Sequence, residues 1–159
     1  MTDPLPTYLH DHLAGARAAL DLLGFLRDDA TEPEVQALAA ELEQEIGEER
    51  RTLEAIAERM GGTNPLKAAA AWLGEKVSRL KLGGTGDGGL SLFEAVEALA
   101  LALQGKLALA RALALLAGTD RRLAGMDFVE LGRRTERQFA RLERVRQALV
   151  PRTFGLATP

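Results

Sequence analysis

Leucine and alanine recur at steps of three and four along four stretches of this chain, each roughly 24 to 30 residues long, which places one apolar stripe on each of four α-helices. β-Branched residues are too scarce to favour strands. The first stripe, Leu5, Leu9, Leu13, Ala16, Leu20, Leu23 and Leu26, predicts a helix over 6–29. The second, Val35, Leu38, Leu42, Ile46, Leu53 and Ile56, predicts one over 32–60. Thr31 reads as its N-cap, with Pro33 in the first turn and Glu34 three residues after the cap. Gly61 and Gly62 stop it. Helices over 91–117 and 120–149 are separated only by Gly118 and Thr119, and Pro151 is expected to end the last. Two short turns therefore predict two antiparallel hairpins, joined by a long connection over 61–90. That connection carries a short helix over 65–82, begun by Asn64 and docked on the bundle by Trp72. The run GGTGDGG at 83–89 reads as a linker, because a phosphate loop needs a preceding strand and a following Gly-Lys-Ser/Thr.

At 159 residues, 47% apolar and 27% charged, the chain can close one core as a single domain over 1–149, followed by a tail over 150–159. The absence of cysteine excludes thiol chemistry and Cys-ligated metal. Ser78 and Ser91 are the only serines and His10 and His12 the only histidines, so nucleophile–base catalysis is poorly supplied and no enzyme is expected. Glu94, Glu97, Gln104, Lys106 and Arg111 interrupt the apolar stretch 92–118, so no membrane span is expected. The first residues lack a basic leader with an apolar core, and the cytoplasm is the expected location.

Charge is unevenly placed within the net −3. Residues 1–89 carry 16 acidic and 9 basic side chains, a net −7, and residues 90–159 carry 7 and 11, a net +4. The acidic second helix and the basic last helix are thus expected to lie side by side. The basic segment has no interleaved aromatics and the whole chain is acidic, so a nucleic-acid partner is not expected.

A helix of about 17 residues covers roughly 25 Å, and a seven-residue extended linker adds up to about 23 Å. The connection can therefore run the length of the bundle and leave the second and third long helices parallel. Over residues 5–149 this pattern resembles the ferritin-like superfamily. The resemblance implies an all-α, ferritin-like four-helix bundle of two antiparallel hairpins, with an additional short helix in the long connection. It also implies a place for a di-metal centre, where two helices each give a Glu and two give Glu-x-x-His. Here Glu49 lies on the apolar seam between Ile46 and Leu53, but Thr52 stands where the family has His. Glu97 is offered by the third helix; Glu136 on the fourth is followed by Phe139; the first helix has no glutamate. Both Glu-x-x-His motifs are missing. No metal and no cofactor are expected, the alternative being iron or manganese in a divergent site built from Glu45, Glu49, Glu97 and His12.

Positions equidistant from the first turn should face one another, which pairs His12 with Glu49. With the second and third helices parallel, the same layer falls near Arg111; with them antiparallel, near Gln104. A Glu49–Arg111 ion pair would fill an emptied metal position, since a lone buried carboxylate is costly. The expected function is that of a non-catalytic ferritin-like helical protein acting through self-association or a protein partner, and the alternative is a divergent metal- or small-ligand-binding protein using bundle carboxylates. Apolar faces in excess of one core, chiefly on the third helix, imply a homo-oligomer, with a dimer favoured. Phe154 and Leu156 in the tail are expected to pack back on the bundle or insert into a neighbouring subunit.

Overall fold

The computed structural model of the chain describes residues 3–61, 78 and 88–156. Of the short helix expected over 65–82 only Ser78 is among them, while its Trp72 and the glycine run's first residues lie outside. Four long helices dominate: α1 (Leu5–Asp29), α2 (Pro33–Met60), α3 (Gly88–Leu116) and α4 (Phe128–Thr153). There is no strand among the described residues. α1 packs most extensively on α2 and α3 on α4, while α1–α3 and α2–α4 contacts close a bundle.

Side-chain pairs fix the helix directions. Glu32, Glu41 and Glu45 of α2 meet Arg152, Arg141 and Gln138 of α4 in reverse order, so these helices are antiparallel. Along α3, Phe93, Glu97 and Lys106 meet Phe154, Arg146 and Gln138, again in reverse order. α2 and α3 consequently run in the same sense. The acidic face of α2 lies against the basic face of α4, as the charge distribution requires.

Local chemistry moved several helix ends from their expected places. Thr31 is not the N-cap of α2; Glu32 occupies that position without a side-chain cap, and Pro33 leads the helix. The residues after Thr119 do not continue as helix. Asp120 accepts a hydrogen bond from Arg122 N–H at 3.0 Å and caps a 3-10 turn over Arg121–Leu123. Gly125 follows with φ of 114°, a backbone conformation that L side chains rarely adopt. Asp127 then caps α4, accepting from Glu130 N–H at 2.9 Å. Pro151 does not end α4 either. It sits in the last turn, and the chain leaves the helix at Gly155 (φ 67°), with Leu156 N–H bonded to Pro151 C=O at 2.8 Å.

The buried apolar residues form two blocks. One gathers Leu22, Leu26, Leu42, Val96, Leu99 and Leu142 with their neighbours. The other gathers Leu9, Ile56, Leu109, Leu113, Leu123 and Phe128. Between them, at mid-bundle, lie the only three buried polar side chains among the described residues: Glu49, Thr135 and Gln138. Contrary to expectation, α3 is by length and composition long and apolar enough to cross a membrane. Here it places Val96, Leu99, Leu103, Ala110 and Leu113 inside the bundle.

Candidate functional site

Glu49 sits on the seam of α2 between Ile46 and Leu53, as the spacing predicts, and is 3% exposed. A carboxylate so placed needs charge and hydrogen bonds in return, and three side chains supply them. Lys106 of α3 bonds Glu49 Oε2. Gln138 of α4 donates through Nε2 to Oε1 at 3.2 Å, and Arg134 Nε lies 3.2 Å from the same oxygen. Lys106 also donates to Gln138 Oε1 at 2.6 Å.

The network continues outward along the α2–α4 interface. Gln138 Nε2 bonds Glu45 Oε2 at 2.9 Å, and Arg141 Nη2 meets both Glu45 oxygens at 2.7 Å. Arg141 Nη1 reaches Glu41 at 3.1 Å. Three carboxylates, two arginines and a lysine thus balance around one amide, and Thr135 closes on itself by donating to Leu131 C=O at 2.8 Å. Burial disfavours the Lys106 ammonium and lowers its pKa, with the Glu49 carboxylate acting in the opposite sense. Burial alone would raise Glu45, but hydrogen bonds from Arg141 and Gln138 together outweigh it and hold that carboxyl below its ordinary value.

The sequence candidates divide. Glu45 and Glu49 meet in this network. Glu97 does not: its side chain is half exposed and lies 3.7 Å from Arg146. Arg111 is not the counter-ion of Glu49; it is exposed on α3 and pairs with Glu136 at 3.2 Å. The layer falls five residues earlier on α3, at Lys106, because the register between α2 and α3 is set by side-chain packing and not by turn positions. His12 likewise forms no hydrogen bond with Glu49 among the described contacts. Both His12 and Glu49 line one cavity between α1, α2 and α3. The imidazole instead stands edge-on to Tyr8, with ring centroids 4.7 Å apart, and its partial burial lowers its pKa despite Asp11 beside it.

Sequence reasoning missed Lys106, Gln138, Arg134 and Arg141. Lys106 had a signal. It stands three residues after Leu103 and four before Ala110, on the buried stripe of α3, and a lone cation there requires an anion opposite. Gln138 falls three after Thr135 and four before Leu142 in the same way.

A cavity of about 360 Å3 adjoins the network between α1, α2 and α3. Leucines, alanines and one isoleucine form most of its wall, and Glu49, Arg50 and Lys106 are among its polar lining. Among the described residues, no group of three or more His, Asp or Glu side chains is arranged to hold a metal ion. No known protein family matches the chain, and no curated protein or solved structure matches it at a significant level.

Proposed function

We propose that this chain is a non-catalytic, ferritin-like helical protein whose working form is a homodimer. On this reading α1–α2 and α3–α4 are the two hairpins, and the segment from Gly61 to Gly88 joins opposite ends of the bundle. The shared direction of α2 and α3 supports that topology. The Glu49–Lys106–Gln138 layer supports the loss of the metal centre, since both carboxylates offered by α2 already have cationic partners. A divalent ion entering there would have to displace Lys106 and leave a buried ammonium without its anion.

One observation carries the dimer. The large apolar side chains left exposed among the described residues all belong to α3, α4 or the segment after it: Leu101 (56%), Leu115 (84%), Val129 and Phe154 are examples. α1 and α2 contribute none. A helix that is apolar nearly all round, as α3 is, requires cover on its outer face as well as its inner one. Phe154 packs edge-on to Phe93 at 5.3 Å yet keeps more than half its surface exposed, so the residues after α4 also leave apolar surface uncovered. A second copy of the chain is the cover we assign to it.

Sedimentation equilibrium tests this. The expected mass is twice the 17.1 kDa of one chain, and Leu115→Glu, which alters a side chain that touches little of its own bundle, should return the protein to monomers with its helix content intact. A monomeric wild type overturns the reading, and a Leu115→Glu variant that stays dimeric overturns the face assigned to it.

A further inference from the structure

We propose that the second copy docks by laying its α3 antiparallel along the outer face of this one, the pair centred between Gly105 and Ala108. The proposal rests on the homodimer reading above and gives it a geometry. Leu101, Gly105, Ala108, Ala112 and Leu115 follow one another at steps of four, three, four and three. Such spacing keeps one line of residues facing a neighbouring helix. Here the line looks away from the bundle: Leu101, Ala108 and Leu115 are exposed, and Gly105 and Ala112 are only partly buried. Leu109, Ala110 and Leu113, from the same turns, are the residues that α3 buries in its own core.

Side-chain size sets the direction. The line carries leucine at its two ends and small residues between them. A parallel copy would set Leu101 on Leu101 and Leu115 on Leu115, which holds the helices apart at both ends and leaves the Gly105–Ala108 stretch without contact. In the reversed pair Leu101 lies opposite Ala112 of the second copy and Gly105 opposite its Ala108, so large meets small along the line. Leu115 then comes within one turn of the second copy's Leu101. Glycine inside a helix is costly relative to alanine, yet a Cβ at Gly105 would meet no atom of its own chain within 4 Å. The bundle does not require a glycine there; a second helix crossing at close range does.

Charge points the same way. Glu97 and Arg111 flank the line on the side of α4, where they lie beside Arg146 and Glu136. A twofold pair of parallel helices would set this charged flank against the opposite flank of the second copy, where Ala102 lines the cavity. An antiparallel pair sets the two charged flanks side by side. Arg111 then stands five residues' rise, about 7.5 Å, from the level of the second copy's Glu97, within reach of two long side chains. Leu101 and Gly105 also line the cavity between α1, α2 and α3, so the second copy's α3 covers that edge of it.

Disulfide trapping in the intact chain tests this, because the protein has no cysteine of its own and an introduced thiol reports alone. Ala108→Cys would stand about 5 Å along the helix axis from its own counterpart, and a disulfide needs Cα atoms closer than about 7 Å. Mild oxidation should convert most of it to a covalent dimer. Leu115→Cys, whose counterpart would be about 25 Å away, should stay unlinked, as should Ala40→Cys at an exposed position of α2. In sedimentation, Ala108→Leu should weaken the dimer at least tenfold with helix content unchanged, although it makes the face more apolar; unspecific apolar association would tighten instead. A Leu115→Cys dimer that links more readily than Ala108→Cys overturns this geometry and leaves dimerisation standing. So does an Ala108→Leu dimer as tight as wild type. A monomeric wild type overturns the geometry and the homodimer reading together.

Discussion

Glu49 shows how one residue's position on a stripe can be legible while its chemistry is not. Steps of three from Ile46 and four to Leu53 put it inside the bundle, and burial then demands a cation. Which cation depends on how α3 slides along α2, and no short turn transmits that register. Lys106→Met would strand the carboxylate with the half-exposed Arg134 and the neutral Gln138, and urea denaturation should record a loss of about 3 kcal/mol. The double variant Glu49→Met/Lys106→Met should recover most of that loss, because two apolar side chains of similar length leave no charge to solvate. A double variant less stable than the single would show that the pair contributes more than it costs to bury. His12 offers a second measurement at this scale. Its folded-state pKa lies below the unfolded value near 6.5, so the unfolded chain takes up the proton first as the pH falls. The stability that neutral His12 carries is present above that value and is lost as the pH falls through 6.5 toward the folded pKa. Melting curves between pH 7.5 and 5.5 should therefore show a steeper loss for the wild type than for His12→Gln; equal slopes would contradict the assignment.

The elements themselves were the most readable level. α1 and α2 fall within a residue of their predicted bounds, since their apolar stripes run uninterrupted to a clear stop. The segment 120–127 was not read correctly, because Gly118-Thr119 looked like a complete turn between two continuous patterns. The missed signal was local: Asp127 followed three residues later by Glu130 is the start signature of a helix, and Gly125 before it supplies the backbone freedom for a turn. Asp127→Ala should cost about 1 kcal/mol in denaturant unfolding, whereas Thr31→Ala, at the cap position the structure does not use, should cost little. The tail shows the converse error. Pro151 suggests a stop for α4, yet a proline in the final turn forfeits only one backbone bond, and Gly155 with its positive φ makes the actual exit.

For the whole molecule, the division of the core into two apolar blocks is the organising fact. A polar layer at mid-bundle joins α2, α3 and α4 through Glu49, Lys106 and Gln138, and a cavity beside it is lined by α1, α2 and α3. Sequence periodicity specifies that four helices form; the layer gives a reason why α2, α3 and α4 pack in one register, because sliding any of these three by a turn would separate Glu49 from its partners. On the ferritin-like reading proposed above, the same layer stands where bundle carboxylates would have held ions. Metal content therefore tests the account most directly. Protein prepared without chelator, analysed by plasma mass spectrometry beside Glu49→Ala, should carry iron and manganese far below one atom per chain in both forms. Stoichiometric metal in the wild type that disappears in Glu49→Ala would mean that Lys106 yields its place to an ion, and would contradict the reading given to this bundle.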